Sequence, residues 1–121
     1  MDAAYVFHVE FQLTPSGVSV SPDRFETTME VPAVDPGTTG WLFFRNRLWR
    51  GELGDPSHYR EVASDRLGVD VVAVDFRELR TDQEYLDALR EEIAEDLTLF
   101  KADSVEEVVR KYLGSSIHVR D

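Results

Sequence analysis

Tyr5-Val6-Phe7-His8-Val9-Glu10-Phe11-Gln12-Leu13 is the stretch on which the fold class turns. Tyr5, Phe7, Val9, Phe11 and Leu13 alternate with Val6, His8, Glu10 and Gln12, and a period of two predicts a strand with one buried face. Phe25, Thr27, Met29 and Val31 alternate in the same way with Glu26, Thr28 and Glu30. They predict a second strand, antiparallel to the first, reached through a turn at Pro15-Ser16-Gly17 and a short extended piece over Val18 to Val20. A third strand is expected over Val69 to Leu79 with Val72, Val74 and Phe76 inward, and a fourth over Ser116 to Arg120. Pro32 to Gly40, with Pro36-Gly37 at its centre, reads as a surface loop.

Between the strands the period lengthens. Asp55-Pro56 has the form of an N-cap followed by proline at the first helical position, and Tyr59, Val62, Ala63 and Leu67 trace one helical face until Gly68. Thr81 with Glu84 three residues on is a capping-box pattern, followed by Leu86, Leu89, Ile93, Leu97 and Phe100 at every third or fourth position. Ser104 with Glu107 repeats the pattern for a shorter helix through Val105, Val108, Val109, Tyr112 and Leu113, with Gly114 at a C-cap position. Trp41 to Arg50 fits both periods: Leu42, Phe44 and Leu48 alternate as in a strand, while Trp41, Phe44 and Leu48 fall at helical spacing. A helix closed by Gly51 is the reading adopted. The order β, β, α, α, β, α, α, β predicts an α+β domain over residues 1–121, with helices on one face of a four-stranded, mainly antiparallel sheet. The other face would carry His8, Glu10, Gln12, Glu26, Thr28, Glu30, Asp75, Arg77, His118 and Arg120, a polar surface that can meet water.

Composition narrows the function classes. The 121 residues hold 13 Lys plus Arg against 24 Asp plus Glu, a net charge of −11, and no cysteine. Thiolate metal sites, disulfides and cysteine nucleophiles are thereby excluded. No apolar run approaches the roughly 18 residues that cross a bilayer, and Met1-Asp2-Ala3 lacks the basic start of a signal peptide, so the expected location is the cytoplasm. Among the cations only Lys101 and Lys111 are lysine. A carboxylate-rich surface that avoids lysine suits a cytosol of molar salt, where repulsion is screened within about 3 Å. No phosphate loop, Walker pattern or ordered Ser/His/Asp set occurs, and no cofactor is called for. His8, Glu10 and His118 form the one conceivable metal set, and it would require the first and last strands to be neighbours; solvated side chains are the preferred reading, with no metal assigned. Glu91, Glu92, Glu95 and Asp96 read as a solvated helix face.

Trp41-Leu42-Phe43-Phe44-Arg45-Asn46-Arg47-Leu48-Trp49-Arg50 departs from this background, with three arginines and no acid. On a helix Phe43, Asn46, Arg47 and Arg50 share one face, and Trp41, Phe44, Leu48 and Trp49 point into the core with Arg45 between the two tryptophans. One reading is structural, with Arg45 packed on the indoles and Arg47 and Arg50 paired with acids. A second is an anion or nucleic-acid contact that combines stacking with phosphate pairing, which salt disfavours. A third is a protein interface, for which Trp and Arg are favoured anchors.

Leu48-Trp49-Arg50-Gly51, preceded by Trp41-Leu42-Phe43-Phe44, resembles the LWR-salt proteins of salt-adapted archaea, a family named for this tripeptide. The likeness extends to Phe25-Glu26-Thr27-Thr28, to Phe76-Arg77-Glu78-Leu79-Arg80-Thr81-Asp82 and to Lys111-Tyr112-Leu113-Gly114-Ser115-Ser116-Ile117. The resemblance implies a high-salt cytosol and carries no reaction or ligand with it. Taken together, these residues predict a halophilic interaction or regulatory domain whose contact surface centres on Phe43, Asn46, Arg47 and Arg50, with a protein partner or self-association. A nucleotide or RNA binder using the same surface is the alternative, and a small hydrolase the third choice.

Overall fold

A computed structural model describes residues 1–13 and 17–120. Its central sheet has the order β2-β1-β5-β6, from β1 (Ala3–Gln12), β2 (Arg24–Pro32), β5 (Asp70–Thr81) and β6 (Ile117–Val119). β1 runs antiparallel to both β2 and β5, and β5 runs parallel to β6, so the sheet is mixed and the fold is α+β. The helical elements are α1 (Phe43–Arg47), α2 (Pro56–Leu67), α3 (Gln83–Glu95), a 3-10 turn (Leu97–Phe100) and α4 (Val105–Leu113). β3 (Leu48–Trp49) and β4 (Glu52–Leu53) make a separate two-stranded hairpin.

The alternation in the first strand carries through. Tyr5, Phe7 and Val9 are buried in one cluster with Phe44, Leu48, Tyr59, Ala63, Tyr85, Leu89, Ile93, Phe100, Val108 and Leu113 from the helical side. The opposite face bears His8, Glu10, Arg24, Glu26, Glu30, Arg80, Glu78 and His118, joined across strands by the ion pairs Arg24–Glu10 and Arg80–Glu30 and by His8–Glu26 and His118–Glu78 contacts. β5 departs from strict alternation: Val71, Val74, Phe76 and Leu79 are the buried residues, and Val72 is only half-buried. Register shifts against β1 at Val6/Phe7 and Glu10/Phe11 each insert an extra β5 residue, which turns the pattern by one position.

Helix starts follow local chemistry with one displacement, and the helix expected to run through Leu97 and Phe100 ends at Glu95, where Asp96 leaves helical geometry ahead of the 3-10 turn. Asp55 accepts the His58 N–H and Ser104 the Glu107 N–H, as their spacing predicts. α3 is capped by Asp82, which accepts the Tyr85 N–H, while Thr81, the expected cap, is the buried last residue of β5. Pairing of Thr81 with Ala3 keeps it in the strand, and the next residue with a side-chain acceptor takes the cap. Val18 to Val20 form no strand, and Pro15-Ser16 of the expected turn lie outside the described residues. The convergence of His8 and His118 that a metal set would need does not arise, because β5 separates β1 from β6; each histidine sits beside its own glutamate, His8 by Glu26 and His118 by Glu78.

Candidate functional site

The segment from Trp41 to Arg50 is neither one helix nor one strand. α1 covers only Phe43–Arg47, and Leu48 leaves it in an extended conformation to begin the β3–β4 hairpin. Its two aromatic neighbours point in opposite directions. Phe44 is fully buried and stacks on Phe100 with centroids 5.8 Å apart. Phe43, expected at the surface, packs against Tyr5 at 4.5 Å and Tyr59 at 6.2 Å. Two aromatic clusters thus hold α1 from both sides, which overrides the weak helix propensity of so short a piece.

The hairpin turn is built from Arg50 and Gly51. Both have positive φ, 52° and 80°, in a two-residue loop between paired Trp49 and Glu52, which is the type I′ pattern. The chain reverses there and does not close a helix on Gly51. This turn lies on the C-terminus of α4, where an α-helix leaves four carbonyls without helical partners. Arg110 O accepts the Gly114 N–H at 3.1 Å, Lys111 O the Arg50 N–H at 2.9 Å, Tyr112 O the Gly51 N–H at 3.0 Å and Leu113 O the Ser116 N–H at 3.1 Å. Arg110 O thus takes the last i→i−4 bond of the helix, and of the carbonyls beyond it the turn satisfies two, those of Lys111 and Tyr112. The approach is close on both sides. A Cβ on Gly51 would lie 3.1 Å from Leu113 O and one on Gly114 would lie 3.2 Å from Arg50 O, so both backbones need glycine.

Leu48, Trp49 and Arg50 consequently have three different environments. Leu48 is in the core at 3% exposure, while Trp49, expected to be core, is 48% exposed. The extended backbone at Leu48 sends successive side chains to opposite sides, and this is the physical reason for the change. The Trp49 indole meets the Tyr112 ring edge-on at 5.9 Å. The Arg50 guanidinium carbon and Lys111 Nζ each lie 5.8 Å from its ring centroid, within the range of cation–π attraction. Trp49, Arg50, Glu107, Arg110, Lys111 and Gly114 line an open shelf. Among the described residues, Arg50, Arg110 and Lys111 make no ion pair. Lys111 Nζ also donates to Phe100 O at 3.0 Å, which holds its charge beside the indole.

The other residues singled out in the sequence lie apart from this shelf. Arg45 turns to the 3-10 turn, where its Nη1 donates to Leu99 O at 3.3 Å and its Nε to Asn46 Oδ1 at 3.2 Å; the tryptophans do not stack on it. Arg47 is exposed near Tyr59, where its charge opposes the rise in the Tyr59 pKa that burial causes. Trp41 packs on Phe44 and Phe100. Of the predicted surface, Arg50 alone joins the shelf; Phe43, Asn46 and Arg47 do not share it. Glu107, Arg110 and Lys111 were missed because they are distant in sequence. The available signal was the pair of glycines, Gly51 and Gly114, following two short apolar-basic runs. Among the described residues no group of three or more metal-ligating side chains could hold an ion, and no helix is long and apolar enough to cross a membrane.

No curated protein and no solved structure matches the chain. A family model described as LWR-salt protein matches residues 1–121, the whole length, and the chain belongs to that family.

Proposed function

We propose that the chain is an interaction domain of a salt-rich cytoplasm that receives an acidic segment of a protein partner on the shelf of Trp49, Arg50, Arg110 and Lys111. The observation that carries this reading is the half-exposed indole with the Arg50 guanidinium and Lys111 Nζ each 5.8 Å from its ring, on a shelf that Arg110 and Glu107 also line, in a chain of net charge −11. Most lysines and arginines of the described residues make no ion pair, so the shelf is set apart by the indole that two of them flank. At molar salt long-range attraction is screened, so binding would rest on contact: an apolar or aromatic residue against the indole, and carboxylates on the guanidinium forks of Arg50 and Arg110. Arg and Trp are the side chains best suited to that task.

The same indole favours a second reading, in which a base stacks on Trp49 and phosphates meet the cations. Titration in molar KCl separates the two, with Trp49 fluorescence as the readout and a Glu-rich peptide carrying one aromatic residue compared with a short oligoribonucleotide. The peptide is expected to change the emission and to lose its effect with Arg110→Ala. A response to the oligonucleotide alone supports the second reading, and no response to either probe sinks both. Salt adaptation has its own test. Far-UV circular dichroism and thermal stability should fall as KCl drops from molar to millimolar, because unscreened repulsion then acts across the whole domain. A flat profile would remove the salt-rich cytoplasm from the proposal.

A further inference from the structure

The two edges of the central sheet are unlike. β6 is three residues long, a common way to make an edge harmless, whereas β2 runs for nine residues with its outer side unpaired among the described residues. β2 carries charges at Arg24, Glu26 and Glu30 and ends in Pro32, but it has no lysine, no proline within its first eight residues and no register shift against β1. The direction of its free hydrogen-bonding groups can be read from the ladder. Leu13 N–H donates to Asp23 O and Ala33 N–H to Ala3 O at its two ends, and the register between them is unbroken. Odd-numbered β2 residues therefore turn their N–H and C=O towards β1, and Arg24, Glu26, Thr28 and Glu30 turn theirs to the open edge.

We propose that this edge pairs antiparallel with β2 of a second copy of the chain, about a two-fold axis through Thr27. Charge selects the register. Centred on Thr27, Arg24 stands opposite Glu30 of the second copy, Glu26 opposite Thr28 and Phe25 opposite Met29, each pair occurring twice. Centring on Thr28 would set Glu26 against Glu30 twice, and centring on Glu26 would set that carboxylate against itself, both unfavourable. The Thr27 register supplies about eight backbone hydrogen bonds between the copies. The helices also leave this part of the sheet open. Thr27 is on the helical face yet exposed, and half-buried Phe25 stacks on half-buried Phe11 at 5.7 Å, with exposed Leu13 beyond. A second copy continues the sheet and covers that margin. Copies that each carry −11 repel, so the pairing belongs to molar salt, where the screening length is about 3 Å.

Sedimentation equilibrium of the intact chain in molar KCl is expected to give the mass of a dimer. Thr28→Pro removes only an N–H that points to the open edge, so it should give a monomer with an unchanged far-UV spectrum. Should that variant fail to fold, cysteine placement decides. The chain has no cysteine of its own, and Thr27 would face its symmetry mate as a non-hydrogen-bonded pair at about 4.5 Å between Cα atoms, within disulfide reach. Thr27→Cys should then cross-link under mild oxidation at least tenfold faster than Thr28→Cys. A wild-type monomer at every concentration, a dimer that survives in folded Thr28→Pro, or faster cross-linking at position 28 would each overturn the proposal. Trp49→Ala should leave the dimer intact, which keeps this edge separate from the shelf.

Discussion

α2 and α4 both end in Leu-Gly, at Leu67-Gly68 and Leu113-Gly114, and from the local sequence they are the same C-terminal signal. Gly68 has φ 71° and ψ 23°, the left-handed cap, and nothing within 4 Å of where a Cβ would stand. Gly114 has φ 61° and ψ −130°, outside the left-handed helical region, and faces the carbonyl of Arg50. One glycine ends a helix and the other joins a helix to a hairpin 60-odd residues away in the chain. A helix end can therefore be a local event or a tertiary joint, and the difference lies in what supplies the orphan carbonyls. At α4 the supplier is the turn that also raises Trp49 and Arg50 beside Lys111.

The largest expected effect comes from beneath this joint. Leu48→Ala empties a buried position under the hairpin and should cost about 3 to 4 kcal/mol by denaturant titration. A cost below about 1 kcal/mol would mean the hairpin is not anchored in the core. Gly114→Ala combines a backbone region that β-carbons avoid with a 3.2 Å approach to Arg50 O, and about 3 kcal/mol is expected. Gly68→Ala meets only the conformational penalty, about 1 kcal/mol. Equal losses at the two glycines would erase the distinction between local cap and joint.

Smaller effects sharpen the comparison. Trp49→Ala should cost about 1 kcal/mol, since the ring is half-exposed and loses mainly its edge contact with Tyr112. Arg50→Gly relieves positive φ while keeping the turn, so stability should hold or rise by about 0.5 kcal/mol even as peptide binding falls. The smallest effect is at the start of α3. The Tyr85 N–H donated to Asp82 at 2.7 Å, aided by the Asp2 N–H, holds the Asp82 carboxyl below the usual carboxylate range. The fold favours its ionised form, so the contribution is present above the ordinary carboxylate pKa and lost as pH falls through the depressed value. Asp82→Asn should keep the cap and flatten the acid limb of a melting-temperature profile, and an unchanged limb would show that other carboxylates govern it.

Much of the fold was legible because burial there follows short-range periodicity. Tyr5, Phe7 and Val9 alternate with polar residues, Leu89 and Ile93 recur at helical spacing, and Asp55 and Ser104 bond amides three residues on. β5 was legible as a strand, with Val74 and Phe76 inward as expected, but Val71 and Leu79 were not legible as buried, since a bulge is decided by the partner strand and leaves no mark on the alternation. The site was legible as a compositional anomaly, three arginines among aromatics, and not as a surface. Trp49 and Leu48 have the same apolar character, and only the hairpin geometry sends one inward and the other out.

The sequence by itself determined the strands β1 and β2, the three longer helices, and the charge balance that any partner would meet. These depend on nearest neighbours, on residues two to four apart and on summed charge, all of which a linear chain displays. Tertiary structure alone decided that α1 stops after five residues, that Arg50 takes positive φ, and that Lys111 lies beside Trp49. The last two go with the open carbonyls of Lys111 and Tyr112 at the end of α4, which the Arg50 and Gly51 amides meet. That demand arises only when a distant segment folds, and Gly51 marks a turn near Trp49 without saying which segment meets it.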